Sequence, residues 1–261
     1  MFGHHFHKKN FKTTVEAVAT EAKEYGSTTG QIYLTNNRTG ALLKSTGDLS
    51  DLPFPVFVHS AYTNSLWTKS KKQVESIKAQ LDLCEKHNLL GLVFHHGKKT
   101  PEQILAGVKA LPKTKAKILL EQTAAKAEEG KTFGTPESLN TLIDTLEKGA
   151  GDYDWGLVLD TSHLWALGTD LSTSDKVKKF LGEIKKPKYI SLIHFNGSIM
   201  KFASGRDCHL IPAEPDDKIW DRDKRTGWKE LMKWCKSNKV PMTMEVNRGD
   251  LKNMKHVYEK Y

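Results

Sequence analysis

Six short apolar runs in this chain each end in a side chain able to bind a metal: PVFVH at His59, LGLVFH at His95, KILLE at Glu121, WGLVLD at Asp160, ISLIH at His194 and PMTME at Glu245. One such ending carries no information. Six in succession, separated by helical stretches, describe parallel strands that all direct a polar tip to the same end of a sheet, and closure of that sheet makes the end a single mouth. Three further residues of the same chemistry, His163, Asp207 and His209, lie just past strand ends. Imidazoles and carboxylates crowded in this way need cations to hold them together.

The rest of the chain keeps the same beat. Strands are expected at 2–6, 30–35, 55–60, 90–95, 117–121, 154–160, 189–195 and 241–246. Their centres are rich in Ile, Leu and Val without alternation, as in strands buried on both faces. Helical stretches lie between them: TTVEAVATEAKEYG, KKQVESIKAQLDLCEKHN, TPEQILAGVKAL, TPESLNTLIDTLEKG, TSDKVKKFLGEIKK, GWKELMKWCKSN and, at the end, DLKNMKHVYEKY. Thr100-Pro101-Glu102 and Thr135-Pro136-Glu137 carry a capping Thr followed by Pro in the first turn, and Ser172 to Lys176 reads the same way. This alternation predicts an α/β fold, a single (β/α)8 TIM barrel over residues 1–261, a length suited to one barrel. Residues 36–53 and 197–225 show no helical period and read as long loops on the side of the mouth.

Composition narrows the function classes. With 38% hydrophobic and 27% charged residues, the chain is neither disordered nor membrane-spanning. The segment MFGHHFHKKNFK lacks the apolar centre of a signal peptide, and three cysteines (Cys84, Cys208, Cys235) without metal-type spacing fit a reducing compartment. An intracellular protein, cytoplasmic or nuclear and without a membrane partner, is expected. The formal charge of +9 favours a polyanionic partner.

Zinc accepts imidazole nitrogen and carboxylate oxygen in compact sites and keeps an open position when catalytic. Nine donors exceed the needs of one ion and suit a cluster of two or three with a carboxylate bridging. Asp160 and His163 are separated by a tight turn in DTSH, and Asp207 and His209 share one side of an extended DCH segment. Other histidines are set aside. His4 and His7 are read as polar decoration on the first strand, His96 as facing the rim, and His87 and His256 as helix-surface residues. The basic runs at 69–73 and 185–188 are read as solvated lysines.

The stretches HSAYTNSLW (59–67), FHHG (94–97), LLEQTA (119–124), LDTSHLWALGTDL (159–171), HFNG (194–197), GRDCHLIPAE (205–214) and VPMTMEV (240–246) resemble the endonuclease IV group of apurinic/apyrimidinic endonucleases. DTSH is similar to that family's DTCH-type signature, and all nine ligand positions carry the expected residue types. The resemblance implies a xylose isomerase-like barrel with three Zn2+ per chain, Mn2+ being acceptable at one site. His59 and His95 would hold one ion, with Glu121 bridging to a second. Asp160, His194 and Glu245 would complete the second, and His163, Asp207 and His209 would hold the third. It implies incision of double-stranded DNA on the 5′ side of an abasic site, leaving a 3′-hydroxyl and a 5′-deoxyribose phosphate, together with 3′-repair diesterase activity, by a monomer. Glu121 and Glu245 are the residues tied most closely to catalysis. Asn37 and Arg38 in TNNRTG (35–40) and Tyr62 in His-x-x-Tyr would touch DNA. His5, Asn196 and Glu214 would support the ligands from behind.

The chain departs from the pattern at Gly197, where Asp is usual, at Ala213 and Pro215 around Glu214, and at Gln122 in place of Asn. No departure removes a ligand. The chain is also short, and trimmed repair enzymes of this kind occur in viruses and compact genomes. Two other readings share parts of the pattern. A divalent-metal sugar isomerase or epimerase uses the same barrel, but it leaves His163, Asp207 and His209 surplus and gives no reason for a basic chain. A non-catalytic lesion-binding protein with structural metals is the reading from another class, and structural sites are closed four-ligand cages.

Overall fold

A computed structural model describes residues 1–8, 10–67, 70–221, 224–246 and 257. Eight strands, all parallel, close into a barrel: β1 (Phe2–His5), β2 (Thr29–Tyr33), β3 (Phe57–His59), β4 (Gly91–His95), β5 (Ile118–Glu121), β6 (Trp155–Asp160), β7 (Ile190–His194) and, completing the circle against β1, β10 (Met242–Met244). The expected strands all form in the expected order; β2 starts one residue early and ends two early, and the other seven are trimmed by one to three residues. Residues 197–225, read as one loop, contain a two-stranded antiparallel hairpin of β8 (Gly197–Ser198) and β9 (His209–Leu210).

The helices are α1 (Thr14–Tyr25), α2 (Lys71–Lys86), α3 (Pro101–Lys109), α4 (Pro136–Gly149), α5 (Thr161–Leu167), α6 (Ser174–Gly182) and α7 (Gly227–Asn238). Their starts follow the cap chemistry. The hydroxyl of Thr13 accepts from Glu16 N, and Thr100 and Thr135 form reciprocal capping boxes with Gln103 and Ser138. Each such cap contributes about 1 kcal/mol by satisfying backbone donors that have no partner inside the helix. The cap of α6 is Thr173, one residue past the expected Ser172. The helix expected over 250–261, with His256, lies outside the described residues except for Val257, which is buried.

Two apolar layers explain why the strands read as continuous hydrophobic runs. Phe57, Val93, Leu119, Val158 and Leu192 fill the inside of the barrel. Their neighbours Val58, Leu92, Leu120, Leu159 and Ile193 belong to the outer core against the helices. Side chains alternate faces along a strand. The residue two places after each interior residue therefore also points inward, one step nearer the mouth. Those residues are His59, His95, Glu121, Asp160 and His194. Thr243 on β10 and Glu245, one residue past its end, bear the same relation.

Candidate metal centre

Barrel closure brings eight of the nine donor residues into three overlapping groups that could each hold an ion, with Asp207 beside the third: His59 with His95 and Glu121; Glu121 with Asp160, His194 and Glu245; and Asp160 with His163 and His209. Glu121 belongs to the first two and Asp160 to the last two. In the first group, Glu121 Oε2 lies 3.3 Å from His59 Nε2 and 3.0 Å from His95 Nε2. In the second, His194 Nδ1 lies 3.1 Å from Glu121 Oε1, 3.2 Å from Glu245 Oε2 and 3.8 Å from Asp160 Oδ2. At the third, Asp207 reaches His163 Nε2 at 3.4 Å and His209 Nε2 at 2.8 Å, while Asp160 Oδ2 is 3.5 Å from His209 Nε2. Glu121, Asp160, His163 and His194 are buried, and Asp207 stands at the solvent edge.

The donor set fits divalent cations. The buried His163 Nε2 and His209 Nε2 have no hydrogen-bond partner, although carboxylates lie within 3.5 Å of both. Close approach without hydrogen-bond direction is what converging ligand atoms give around a shared ion. Mixed imidazole and carboxylate donors of this kind suit zinc and its neighbours.

Without ions, charges of the protein balance one another. Burial disfavours charge on His163 and His194, but the carboxylates of Asp160 and Asp207 around the first and Glu245 and Glu121 around the second hold both imidazoliums well above the usual histidine range. His209 is pushed up to about 9, with Asp160 the main attraction opposing its burial. Burial would raise the carboxyls of Glu121 and Glu245, yet His95 and His194 for the first, and His194 for the second, keep them well below the usual range. His5, with no opposing charge strong enough to offset its burial, falls to about 4 and stays neutral.

Second-layer bonds fix which nitrogen of each ring faces the centre. His59 Nδ1 donates to the Ser60 carbonyl at 2.8 Å, and His163 Nδ1 donates to the Gln122 carbonyl at 2.7 Å. That leaves Nε2 of both rings turned to the carboxylates. Asn196 donates to Asp160 Oδ2 at 2.7 Å and accepts from Glu245 N at 2.8 Å. Gln122 Nε2 donates to the Asp160 carbonyl, so the Gln at this position still serves the centre. No sequence pattern singles out Gln31. It is fully buried, accepts from His194 Nε2 at 2.9 Å and donates to Glu245 Oε1 at 2.8 Å. Its one sequence signal is an amide in the middle of the buried strand TGQIY.

Several expectations need correction. DTSH is no simple turn: Asp160 caps α5, its Oδ1 accepting from Ser162 N and His163 N, so the helix itself presents His163. Gly168 ends α5 at φ +95°, a conformation open to glycine without strain. His4 is not surface decoration. It is buried between β1 and α1, with Nε2 3.1 Å from Glu21 and Nδ1 3.4 Å from Ser27. His96 does not face the rim; it is buried edge-on to the Phe133 ring and donates to the Gly97 carbonyl.

Of the residues expected at DNA, Tyr62 is 62% exposed with its ring 5.2 Å from that of His95, so it overhangs the first group. Asn37 and Arg38 sit in a turn closed by Asn36 Oδ1, which accepts from Arg38 N and Thr39 N. Tyr33 is half-buried beneath this turn, with its ring 5.5 Å from that of His59. Arg38 is exposed. His5 lies 3.9 Å from Glu245. Glu214 is half-buried in the turn after β9, outside the three groups.

Gly197 has a local reason. A Cβ there would lie 2.4 Å from Asp217 Oδ2. The buried Asp217 carboxylate accepts from Ser198 N, Ala213 N and Ile219 N, tying both ends of the excursion that carries Asp207 and His209. The space an Asp at 197 would need is taken by this second acid.

The family described as a xylose isomerase-like TIM barrel matches residues 13–255. A "Probable AP endonuclease" of African swine fever virus (isolate Tick/Malawi/Lil 20-1/1983) is 25% identical over 205 residues, spanning 74% of this chain and 68% of the relative. A "Putative endonuclease 4" of Acanthamoeba polyphaga mimivirus is 31% identical over 210 residues, 72% of this chain and 65% of that protein. Among solved structures, endonuclease IV from Thermus thermophilus superposes with a TM-score of 0.77 at 19% identity, covering 99% of this chain and 98% of the other.

Proposed function

The chain belongs to the xylose isomerase-like TIM barrel family, and from that premise we propose that it is a metal-dependent abasic-site endonuclease. It cuts double-stranded DNA on the 5′ side of a missing base and leaves a 3′-hydroxyl and a 5′-deoxyribose phosphate. The observation that carries this reading is the set of three donor groups sharing Glu121 and Asp160 at one mouth. The names of the viral and bacterial relatives point the same way, and the charge of +9 suits a polyanionic substrate.

His59, His95 and Glu121 would hold one ion, Glu121 with Asp160, His194 and Glu245 a second, and His163 and His209 with Asp207 and Asp160 a third; zinc fits these donors best. Bound ions of this kind activate water near neutral pH and stabilise the entering and leaving oxygens of an in-line displacement at phosphorus. The chain's own part is placement. Glu121 fixes the spacing of the first two groups from a rigid strand end. Gln31 and Asn196 hold Glu245 and Asp160 at set angles, so little reorganisation is needed as charge develops. Tyr62, Asn37 and Arg38 are the rim residues that would touch DNA, Tyr62 and Arg38 being exposed there. A wedge there is least costly at a site whose base is already lost.

The test is incubation of folded, metal-loaded protein with a duplex carrying one abasic analogue. The expected product is a single nick 5′ to the lesion with a free 3′-hydroxyl. Intact duplex at the end of the reaction rejects the assignment. Elemental analysis separates it from a sugar epimerase on the same barrel: about three zincs per chain are expected here, against one or two ions for the epimerase.

A further inference from the structure

A cavity opens beside the first donor group. It has a volume of about 240 Å³ and is walled by Ser60, Tyr62, Trp67, His95, Lys99 and Thr123. His59 and His95 form part of its wall, so it runs directly from the metal centre. That volume falls below the roughly 300–1,000 Å³ of pockets that enclose whole small molecules, and suits one unit of a chain that continues beyond it.

Its chemistry is that of an anion site with one apolar side. The Lys99 ammonium lies 5.3 Å from the centre of the Trp67 ring and has no acidic partner among the described residues, whereas its neighbour Lys98 pairs with Glu128. The indole is fixed: Trp67 Nε1 donates to the Gln103 carbonyl at 2.7 Å, and Gly107 of α3 leaves room for it, since a Cβ there would approach Nε1 to 3.0 Å. The Ser60 hydroxyl is buried and has no hydrogen-bond partner. A buried hydroxyl without a partner is costly unless something docks against it. An ammonium held over an aromatic face, a waiting hydroxyl and an exposed phenol ring together fit a phosphate joined to a sugar.

We propose that this cavity is a subsite for one further nucleotide of the strand being cut, with its phosphate on Lys99 and Ser60 and its deoxyribose against Trp67 and Tyr62. The proposal rests on the endonuclease reading and adds to it a phosphate contact next to the bond that breaks. Lys99 and Trp67 then set how the strand is registered at the centre. They bind substrate and take no part in the bond change.

The experiment places a neutral methylphosphonate at each linkage within two nucleotides of the cut, one at a time, in a duplex with a tetrahydrofuran lesion. Incision is followed for the wild-type holoenzyme and for Lys99→Gln. Equilibrium binding is followed by fluorescence anisotropy for Glu121→Gln and for Glu121→Gln combined with Lys99→Gln. At one linkage the neutral substitution is expected to lower kcat/KM and affinity by roughly tenfold in chains with Lys99, and to have no effect where Lys99 is Gln. Trp67→Leu is expected to raise KM with kcat held. Losses that simply add at every linkage overturn the proposal. So does inhibition by inorganic phosphate that disappears in Lys99→Gln while the linkage effects remain additive, because the cavity then takes a free anion. Protein that shows the coupling in binding but cuts nothing refutes the endonuclease and keeps the subsite.

Discussion

The side-chain carbonyl of Gln31 accepts a hydrogen bond from His194 Nε2 at 2.9 Å, which leaves Nδ1 as the nitrogen turned toward Glu121 and Glu245. The amide of the same Gln31 donates to Glu245 Oε1. One buried amide thus orients two donors of the central group. Outer partners of this kind change metal affinity by about 10–100-fold when lost. Gln31→Leu is expected to fall in that range by competition with a chromophoric chelator, with the barrel still folded by circular dichroism. Unchanged affinity would show that ring packing alone orients His194.

Glu121 and Glu245 are the carboxylates at the heart of the donor set. Glu121→Gln and Glu245→Gln keep the size of each side chain and remove its charge. Each is expected to reduce incision by at least about a thousandfold while thermal unfolding stays cooperative. Normal turnover in either variant would disprove its place in the site.

Metal loading is expected to release protons. His163 and His194 are held well above the usual histidine range by surrounding carboxylates, and His209 is raised to about 9, so all three carry protons at pH 7 without metal. An imidazole must give up its proton at the coordinating nitrogen. Calorimetric titration in two buffers of different ionisation enthalpy should therefore show proton release at pH 7 and weaker binding as pH falls. Metal-free protein has the opposite dependence. These raised values contribute stability that is complete below the unfolded histidine pKa near 6.5 and is lost as pH rises through the folded values, that of His209 being about 9. Its melting temperature should drop over that window, while that of loaded protein should not.

Asp217 gives a second pH signature, away from the donors. Burial pushes its carboxyl up to about 6 against the pull of the Ser198, Ile219 and Ala213 backbone N–H groups. A raised carboxyl pKa means that the folded state binds the proton more tightly, so stability falls between pH 4 and 6 as the buried group ionises, by on the order of 3 kcal/mol. Asp217→Asn removes that slope. Denaturant melts across pH 4–7 should show the wild-type minus variant difference shrinking as pH rises; a constant difference would mean that Asp217 stays ionised throughout.

Much of this protein is legible in its sequence because each message is local. An apolar run ending in His, Asp or Glu states both the strand and the end at which the ligand emerges, and Thr-Pro-Glu states where α3 and α4 begin. DTSH is harder to read. Its four residues fit a turn as well as a helix start, and only Asp160 accepting from Ser162 N and His163 N decides for the helix. His4 reads as surface because its partners Glu21 and Ser27 come from the next helix and the segment after it.

The sequence by itself determined the alternation of strand and helix, the eight strands in order, and the chemical type of every donor at the mouth. Only the tertiary structure decided that Asp160 also reaches the third group and that Gln31 belongs to the site at all. The reason is distance along the chain. Gln31 and Glu245 are 214 residues apart and meet because β10 pairs with β1 and β1 with β2, and no local pattern records where a barrel closes.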